Sequence, residues 1–77
     1  MKPAHTDGAL AVELAAHDLN NLCTALLGFA DLARNIAEPG SLLDSYLREV
    51  IASGTDAVVV AERLQQIALE LRRTAVP

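Results

Sequence analysis

The 77-residue sequence is poor in the residues that most enzyme sites and disulfide frameworks require. It has one cysteine, no tryptophan, one tyrosine, one phenylalanine and four glycines. A single cysteine cannot form an internal disulfide, which fits a reducing cytoplasm. The four glycines are too far apart to form a glycine-rich phosphate loop, so the sequence shows no nucleotide site and we expect no cofactor bound by this chain.

Few residues are available as metal ligands. A zinc site needs several convergent cysteine or histidine side chains. His5, His17 and Cys23 are the only candidates of these types, and His5 lies in a predicted N-terminal tail. We therefore expect no metal site. A Ser–His–Asp hydrolase is also excluded, because two helices do not form an oxyanion pocket.

Basic residues and long apolar runs are both scarce. Six basic residues against ten acidic ones give a formal net charge of −4, which argues against a nucleic-acid partner. No apolar run approaches the roughly 20 residues of a membrane span. His5, Asp7 and Glu13 interrupt any apolar core of a signal peptide. The sequence thus predicts a cytoplasmic protein without a membrane span.

Long stretches without proline predict two helices. Residues 9–38 contain no proline and one glycine, and the same is true of residues 42–74. Pro39-Gly40 between them is typical of a turn. Ser41 is a suitable N-cap for the second helix, and Asp44 stands three residues later. The sequence therefore predicts a tail over residues 1–7, helix 1 over about 8–38, a turn at 39–40 and helix 2 over about 41–74.

Both predicted helices have apolar stripes that one hairpin cannot cover. Helix 2 has small and apolar residues in alternating steps of four and three, the a/d spacing of a coiled coil: Leu43, Leu47, Val50, Gly54, Ala57, Ala61, Leu64, Ala68 and Leu71. Helix 1 has a core stripe opposite His17: Ala11, Val12, Ala15, Leu19, Leu22, Leu26, Phe29, Ala30, Ala33 and Ala37. We expect an all-α, long antiparallel helical hairpin that forms a homodimeric four-helix bundle.

The remaining face of helix 1 is polar and centres on His17. The residues around it are Glu13, Asn20, Asn21, Thr24, Gly28, Asp31 and Asn35. A neutral imidazole is a competent nucleophile, and the carboxylate of Asp18 can accept a ring proton as charge develops. The amide of Asn21, one turn on, can orient a water or a phosphoryl oxygen. The pattern is compatible with phosphoryl transfer and also with an ordinary solvated helix face.

Residues 16–33, AHDLNNLCTALLGFADLA, resemble the phosphoacceptor helix of sensor histidine kinases. More narrowly, they resemble the HisKA-type dimerisation and histidine-phosphotransfer (DHp) domain, in its subgroup with a His-Asp-x-Asn-Asn motif. Leu19 stands where this family usually has phenylalanine, and the usual ending of helix 2 is replaced by residues 63–67, RLQQI. The resemblance covers residues 9–72.

The resemblance implies roles for individual residues. His17 is then the phosphorylated residue, Asp18 the adjacent general base, and Asn21 the residue that positions a water for phosphatase activity. It also implies that a response-regulator receiver domain docks on helix 1 near His17, through Asn20, Thr24 and Gly28, and that the domain is a dimeric four-helix bundle.

The ATP-binding domain of the family has no counterpart in these 77 residues, so the chain is not expected to be a self-sufficient kinase. We expect ATP and Mg²⁺ to be bound only by a separate kinase domain that acts in trans. We expect a phosphotransfer module that exchanges a phosphoryl group between His17 and a receiver aspartate. The alternatives are a hairpin dimer that docks receivers or kinases without carrying phosphate, a purely structural coiled coil, and a fragment of a complete kinase.

Overall fold

The protein folds as two long helices joined by a short turn. The computed structural model describes residues 4–75, with the packing of side chains over residues 8–74. Helix α1 spans Ala4–Ile36 and helix α2 spans Leu42–Ala75. The helices pack against each other in antiparallel directions, and the chain forms a rod of 58 × 14 × 12 Å. The all-α helical hairpin that the sequence predicts is confirmed.

The helix ends differ from the predicted ones by a few residues. α1 begins at Ala4 rather than near residue 8, so residues 4–7 of the predicted tail continue the helix. Residues 4–7 contain neither proline nor glycine, so nothing in their sequence interrupts a helix. α1 ends at Ile36 because Pro39 cannot donate a backbone hydrogen bond and restricts the residue before it. The first three residues of the predicted tail lie outside the described residues.

The turn depends on one glycine and one serine. Gly40 has a φ of 78°, in the left-handed region that side chains with a Cβ disfavour. The Ser41 N–H then donates to the Glu38 carbonyl at 3.1 Å. The Ser41 hydroxyl accepts a hydrogen bond from the Asp44 N–H, also at 3.1 Å, which confirms Ser41 as the N-cap of α2.

Replacing Gly40 with alanine should lower the free energy of unfolding by roughly 1–2 kcal/mol, the cost of a left-handed residue with a Cβ. No atom lies within 4 Å of a Cβ built at Gly40, so this cost comes from the backbone alone. Gly28→Ala is the matched control, because Gly28 lies within α1 and is equally open. This control should stabilise the helix by roughly 0.5–1 kcal/mol. Urea unfolding measures both, and effects of the same sign would contradict the turn geometry.

A buried carboxylate ties the turn to both helices. Asp44 is only 4% exposed and accepts the Gly40 N–H at 3.2 Å. It also accepts the Nε–H groups of Arg34 at 3.1 Å and Arg48 at 3.3 Å. The Gly40 N–H and the two guanidinium groups together hold the pKa of Asp44 below its ordinary value, against the opposing effect of burial. Asp44 is therefore ionised at neutral pH and fixes the two helix ends to the turn.

The helices contact each other through a narrow stripe, here called the inner seam. Its positions recur with a/d heptad spacing on both helices. On α1 it comprises Ala9, Glu13, Ala16, Asn20, Cys23, Leu27, Ala30 and Arg34, and Ala37 continues it just after the helix ends. On α2 it comprises Asp44, Leu47, Ile51, Gly54, Val58, Ala61, Gln65, Ala68 and Arg72. The buried apolar side chains of the described residues are five alanines and Cys23, so the hairpin interior buries little apolar area.

The core stripe predicted for helix 1 is not the stripe through which α1 contacts α2. Of its ten residues only Ala30 is buried, and Phe29 is 70% exposed. Glu13 and Asn20, predicted on the solvent face, are instead half-buried in the inner seam. Glu13 accepts a hydrogen bond from Arg72 there and forms an ion pair with it. The prediction identified the most apolar face of α1, whereas the inner seam consists of small and polar residues.

A second a/d stripe on each helix lies outside the hairpin interior, and we call the two together the outer stripe. On α1 it comprises Val12, Ala15, Leu19, Leu22, Leu26, Phe29, Ala33 and Ile36. On α2 it comprises Leu43, Tyr46, Val50, Ser53, Ala57, Val60, Leu64, Ile67 and Leu71. Leu26 of one helix and Val50 of the other line the same groove of about 450 Å³, so both halves of the stripe lie on one face of the hairpin.

The seam predicted for helix 2 divides between the two stripes. Leu47, Gly54, Ala61 and Ala68 belong to the inner seam. The other members belong to the outer stripe: Leu43, Val50, Ala57, Leu64 and Leu71. About half of the surface of Leu43, Val50 and Leu71 is exposed, at 57, 50 and 49%. The heptad spacing predicted for helix 2 is therefore correct, but the residues of the predicted seam lie on two different faces of α2, the inner seam and the outer stripe.

The rod exposes more surface than a compact chain of its size. Its accessible surface is 5780 Å² at a mass of 8.2 kDa. A compact monomer of that mass exposes about 4,500 Å². The excess is about 1,300 Å², and the outer stripe lies within this uncovered surface.

The helices approach each other closely at Gly54. A Cβ built on Gly54 would lie 2.7 Å from Cδ2 of Leu27 and 3.1 Å from its Cγ. Leu27 therefore fills the space that a side chain at Gly54 would need. Gly54 is therefore a close-packing position, and α2 continues through it without a break.

Candidate functional site

The predicted phosphoacceptor lies on the surface of α1 that neither stripe uses. His17 falls near the middle of α1 and its side chain is exposed. Its neighbours at heptad spacing along this face are Leu10, Thr24 and Asp31, which are also exposed. The imidazole makes no hydrogen bond or ion pair with any residue of the described chain. The ring is therefore open to a reaction partner from solvent.

The two residues predicted to assist His17 are exposed as well. Asn21 lies one helical turn beyond His17 on the same face. Asp18 is the next residue in sequence and points about 100° away around the helix. No hydrogen bond joins the Asp18 carboxylate to the His17 ring within residues 8–74. The structure thus places Asn21 beside His17 but does not show the predicted Asp18–His17 contact.

The three predicted docking residues do not share one environment. Thr24 and Gly28 are exposed on the His17 face. Asn20 is half-buried, since it occupies an inner-seam position. The Thr24 hydroxyl donates to the Asn20 carbonyl at 2.9 Å, the local back-bond that threonine commonly makes in helices. Thr24 and Gly28 are therefore available to a partner, whereas Asn20 is partly enclosed by α2.

An apolar depression lies beside the His17 face, toward the turn. It is lined by Ala25, Gly28, Phe29 and Leu32, with a volume of about 440 Å³. Two of its lining residues, Ala25 and Gly28, are small, and the other two, Phe29 and Leu32, are large and apolar. Sequence reasoning included Gly28 but missed the other three. The sequence did contain a signal: Ala25 and Gly28 are small residues three positions apart, and each is followed four positions later by a large apolar residue, Phe29 or Leu32.

No known family model matches the sequence, and no solved structure matches the fold at a significant level. The functional assignment consequently depends on the residues around His17 and on their resemblance to the HisKA motif.

Two further properties of the described residues bear on function. No group of three or more His, Cys, Asp or Glu side chains within them is placed to hold a metal ion. Neither α1 nor α2, over the residues that are described, is both long enough and apolar enough to cross a membrane.

Proposed function

We propose that this chain is a histidine phosphotransfer module of two-component signalling, of the HisKA type that residues 16–33 resemble. His17 exchanges a phosphoryl group with the aspartate of a response-regulator receiver domain, or accepts one from a kinase ATP-binding domain in trans. The observation that supports this most directly is the exposure of His17 and Asn21 on one face of α1, outside both apolar stripes.

The chemistry requires few protein groups. A neutral ring nitrogen of His17 attacks the phosphorus of an aspartyl phosphate, so that an N–P bond forms as the P–O bond to the aspartate breaks. The aspartate leaves as a carboxylate. The proton on the other ring nitrogen passes to Asp18, once its side chain turns toward the ring, or to water. The amide of Asn21 donates a hydrogen bond to a phosphoryl oxygen.

The receiver docks on the surface between His17 and the turn. Thr24 and Gly28 are exposed there, and Leu32, which is 61% exposed and belongs to neither stripe, offers an apolar contact to the partner. An apolar contact next to a polar reaction centre orients the receiver so that its aspartate lies over the imidazole.

Two copies of the chain pair through the outer stripe and form a four-helix bundle. The stripe keeps a/d spacing along both helices, and Ser53 is its one polar member. Covering an excess of about 1,300 Å² on each of two chains gives an interface of about 2,600 Å², within the range of obligate homodimers. The His17 face stays outside this interface, so a dimer presents two phosphoacceptor sites.

The decisive experiment supplies phosphate without ATP. The purified protein is mixed with a panel of receiver domains carrying labelled aspartyl phosphate, and acid-labile, base-stable label on this chain is followed. We expect label on His17 and complete loss of label in His17→Gln. His5→Gln is the matched control and should keep the label. Label that survives in His17→Gln, or no label with any receiver, contradicts phosphotransfer.

A second candidate function is a docking hairpin that binds receivers or kinases without carrying phosphate. The specific observation in its favour is that the Asp18 carboxylate makes no hydrogen bond to His17, so the ring lacks a partner that fixes its tautomer. Receiver binding measured by calorimetry separates the two functions. Binding that persists without any phosphate transfer favours the docking hairpin.

A further inference from the structure

Two arginines at the turn end of the hairpin share a single carboxylate. Arg34 and Arg48 both donate from Nε to Asp44, which is the one acidic group within ion-pair distance of either guanidinium among the described residues. Both carboxylate oxygens of Asp44 are engaged, Oδ1 by Arg34 and Oδ2 by Arg48 and the Gly40 N–H. Two positive charges therefore share one negative charge, in a chain whose net charge is −4.

Arg34 and Arg48 both keep hydrogen-bond donors that do not contact Asp44. Each contact with Asp44 goes through Nε alone, so the Nη amino groups of both arginines make no hydrogen bond within the described chain. The side chains of Arg34 and Arg48 are 38 and 60% exposed. A guanidinium that binds through Nε on one side still presents a planar pair of donors to a second acceptor.

These donors border a cleft of about 350 Å³. Arg34, Arg48, Asp44 and the amide-bearing Asn35 line it, and Ala37 and Pro39 close it on the side of the turn. The cleft is separate from the groove of the outer stripe and from the depression beside Phe29. The side-chain donors at this cleft are the guanidinium groups of Arg34 and Arg48 and the Asn35 amide, and its side-chain acceptors are the engaged carboxylate of Asp44 and the carbonyl oxygen of Asn35.

We propose that this cleft binds an oxyanion of the phosphate or carboxylate class, held by the Nη groups of Arg34 and Arg48 and by the Asn35 amide. An oxyanion neutralises the remaining positive charge and accepts the donors that Asp44 leaves unused. The Asp44 carboxylate accepts a hydrogen bond from each guanidinium group and so holds the two groups at a fixed spacing. This site is distinct from the His17 face and does not depend on the function proposed for it.

The test is an NMR titration of the full chain with inorganic phosphate, with acetate and chloride at matched ionic strength. We expect saturable shifts of the Gly40 amide and the arginine Nε signals with an oxyanion, and not with chloride. Saturation with phosphate alone assigns a tetrahedral ligand, and saturation with both anions assigns any carboxylate-sized oxyanion. Shifts that grow linearly without saturation, or that chloride reproduces, overturn the site.

Variants separate binding from folding. Arg48→Gln should weaken phosphate binding roughly tenfold or more, because it removes a charged donor. Arg63→Gln makes the same charge change elsewhere on α2, where Arg63 forms no ion pair within the described chain, and should bind as the parent does. Asn35→Leu leaves the Asp44 contacts untouched and should also weaken binding, which keeps the test valid if Arg48→Gln disturbs the turn. Equal affinity in all variants contradicts the proposal.

Discussion

Leu26→Glu should dissociate the proposed dimer and unfold most of the hairpin at micromolar concentration. Leu26 is 63% exposed in the single chain, yet it lies in the middle of the outer stripe and lines its central groove. A buried leucine contributes about 1.5–3 kcal/mol, and a carboxylate buried in its place adds a desolvation cost. In a symmetric dimer both copies bear the change. Sedimentation equilibrium and circular dichroism over a concentration series measure the effect.

The matched control is Leu32→Glu. Leu32 lies on the same helix, is 61% exposed and belongs to neither stripe, so the same substitution leaves the dimer intact. If both variants remain dimeric, or both dissociate, the outer stripe is not the interface. A wild-type chain that sediments as a folded monomer would contradict the dimer outright.

The expected loss of helix in Leu26→Glu follows from the weak interior of the single hairpin. The buried apolar residues described between α1 and α2 are alanines and one cysteine, and a buried methyl group stabilises far less than a leucine side chain. Chains of about this length are marginal even with a good core. In the proposed dimer, association through the outer stripe would supply most of the stabilising burial, and folding should then depend on protein concentration.

Asp18→Asn should slow phosphoryl transfer to His17 by roughly 10²-fold or more, the usual contribution of a general base. The substitution keeps the size and exposure of the side chain but removes its capacity to take a proton. Because Asp18 is exposed and makes no ion pair in the described chain, we expect unfolding to be unchanged. Initial rates of label transfer from a phosphorylated receiver, below saturation, measure the effect.

Asp31→Asn is the control for Asp18→Asn. Asp31 is an exposed acid on the same helix, two heptads beyond His17, and its loss changes the net charge equally. A rate loss shared by both variants indicates a change in receiver docking through charge. An unchanged rate in Asp18→Asn shows that water alone takes the proton.

The helices and turn were predictable from sequence because their signals are local. Pro39, Gly40 and Ser41 specify the turn through backbone restriction and capping, and these effects need no knowledge of the partner helix. The inner seam, through which α1 and α2 contact each other, was not predictable from local signals. Hydrophobic periodicity identifies the most apolar face, and in α1 that is the outer stripe, whereas the inner seam includes Glu13 and Asn20.

The candidate site was likewise predictable only in part, where helical spacing alone decides which residues are exposed. The exposure of His17 and Asn21 follows from helical spacing, and the structure confirms it. The partial burial of Asn20 does not follow, because it depends on where α2 lies. The arginine cleft was also missed, because Arg34 and Arg48 come together only through the turn and through Asp44.

The pairing of Leu27 with Gly54 determines how the two helices can move. Sliding α2 along α1 by one heptad would bring Leu47 or Ala61 opposite Leu27, and either residue has a Cβ where none fits without displacing Leu27. The nearest atoms belong to the flexible side chain of Leu27, so such a slide requires Leu27 to adopt another rotamer. Axial sliding of the two helices is therefore coupled to the conformation of this one side chain.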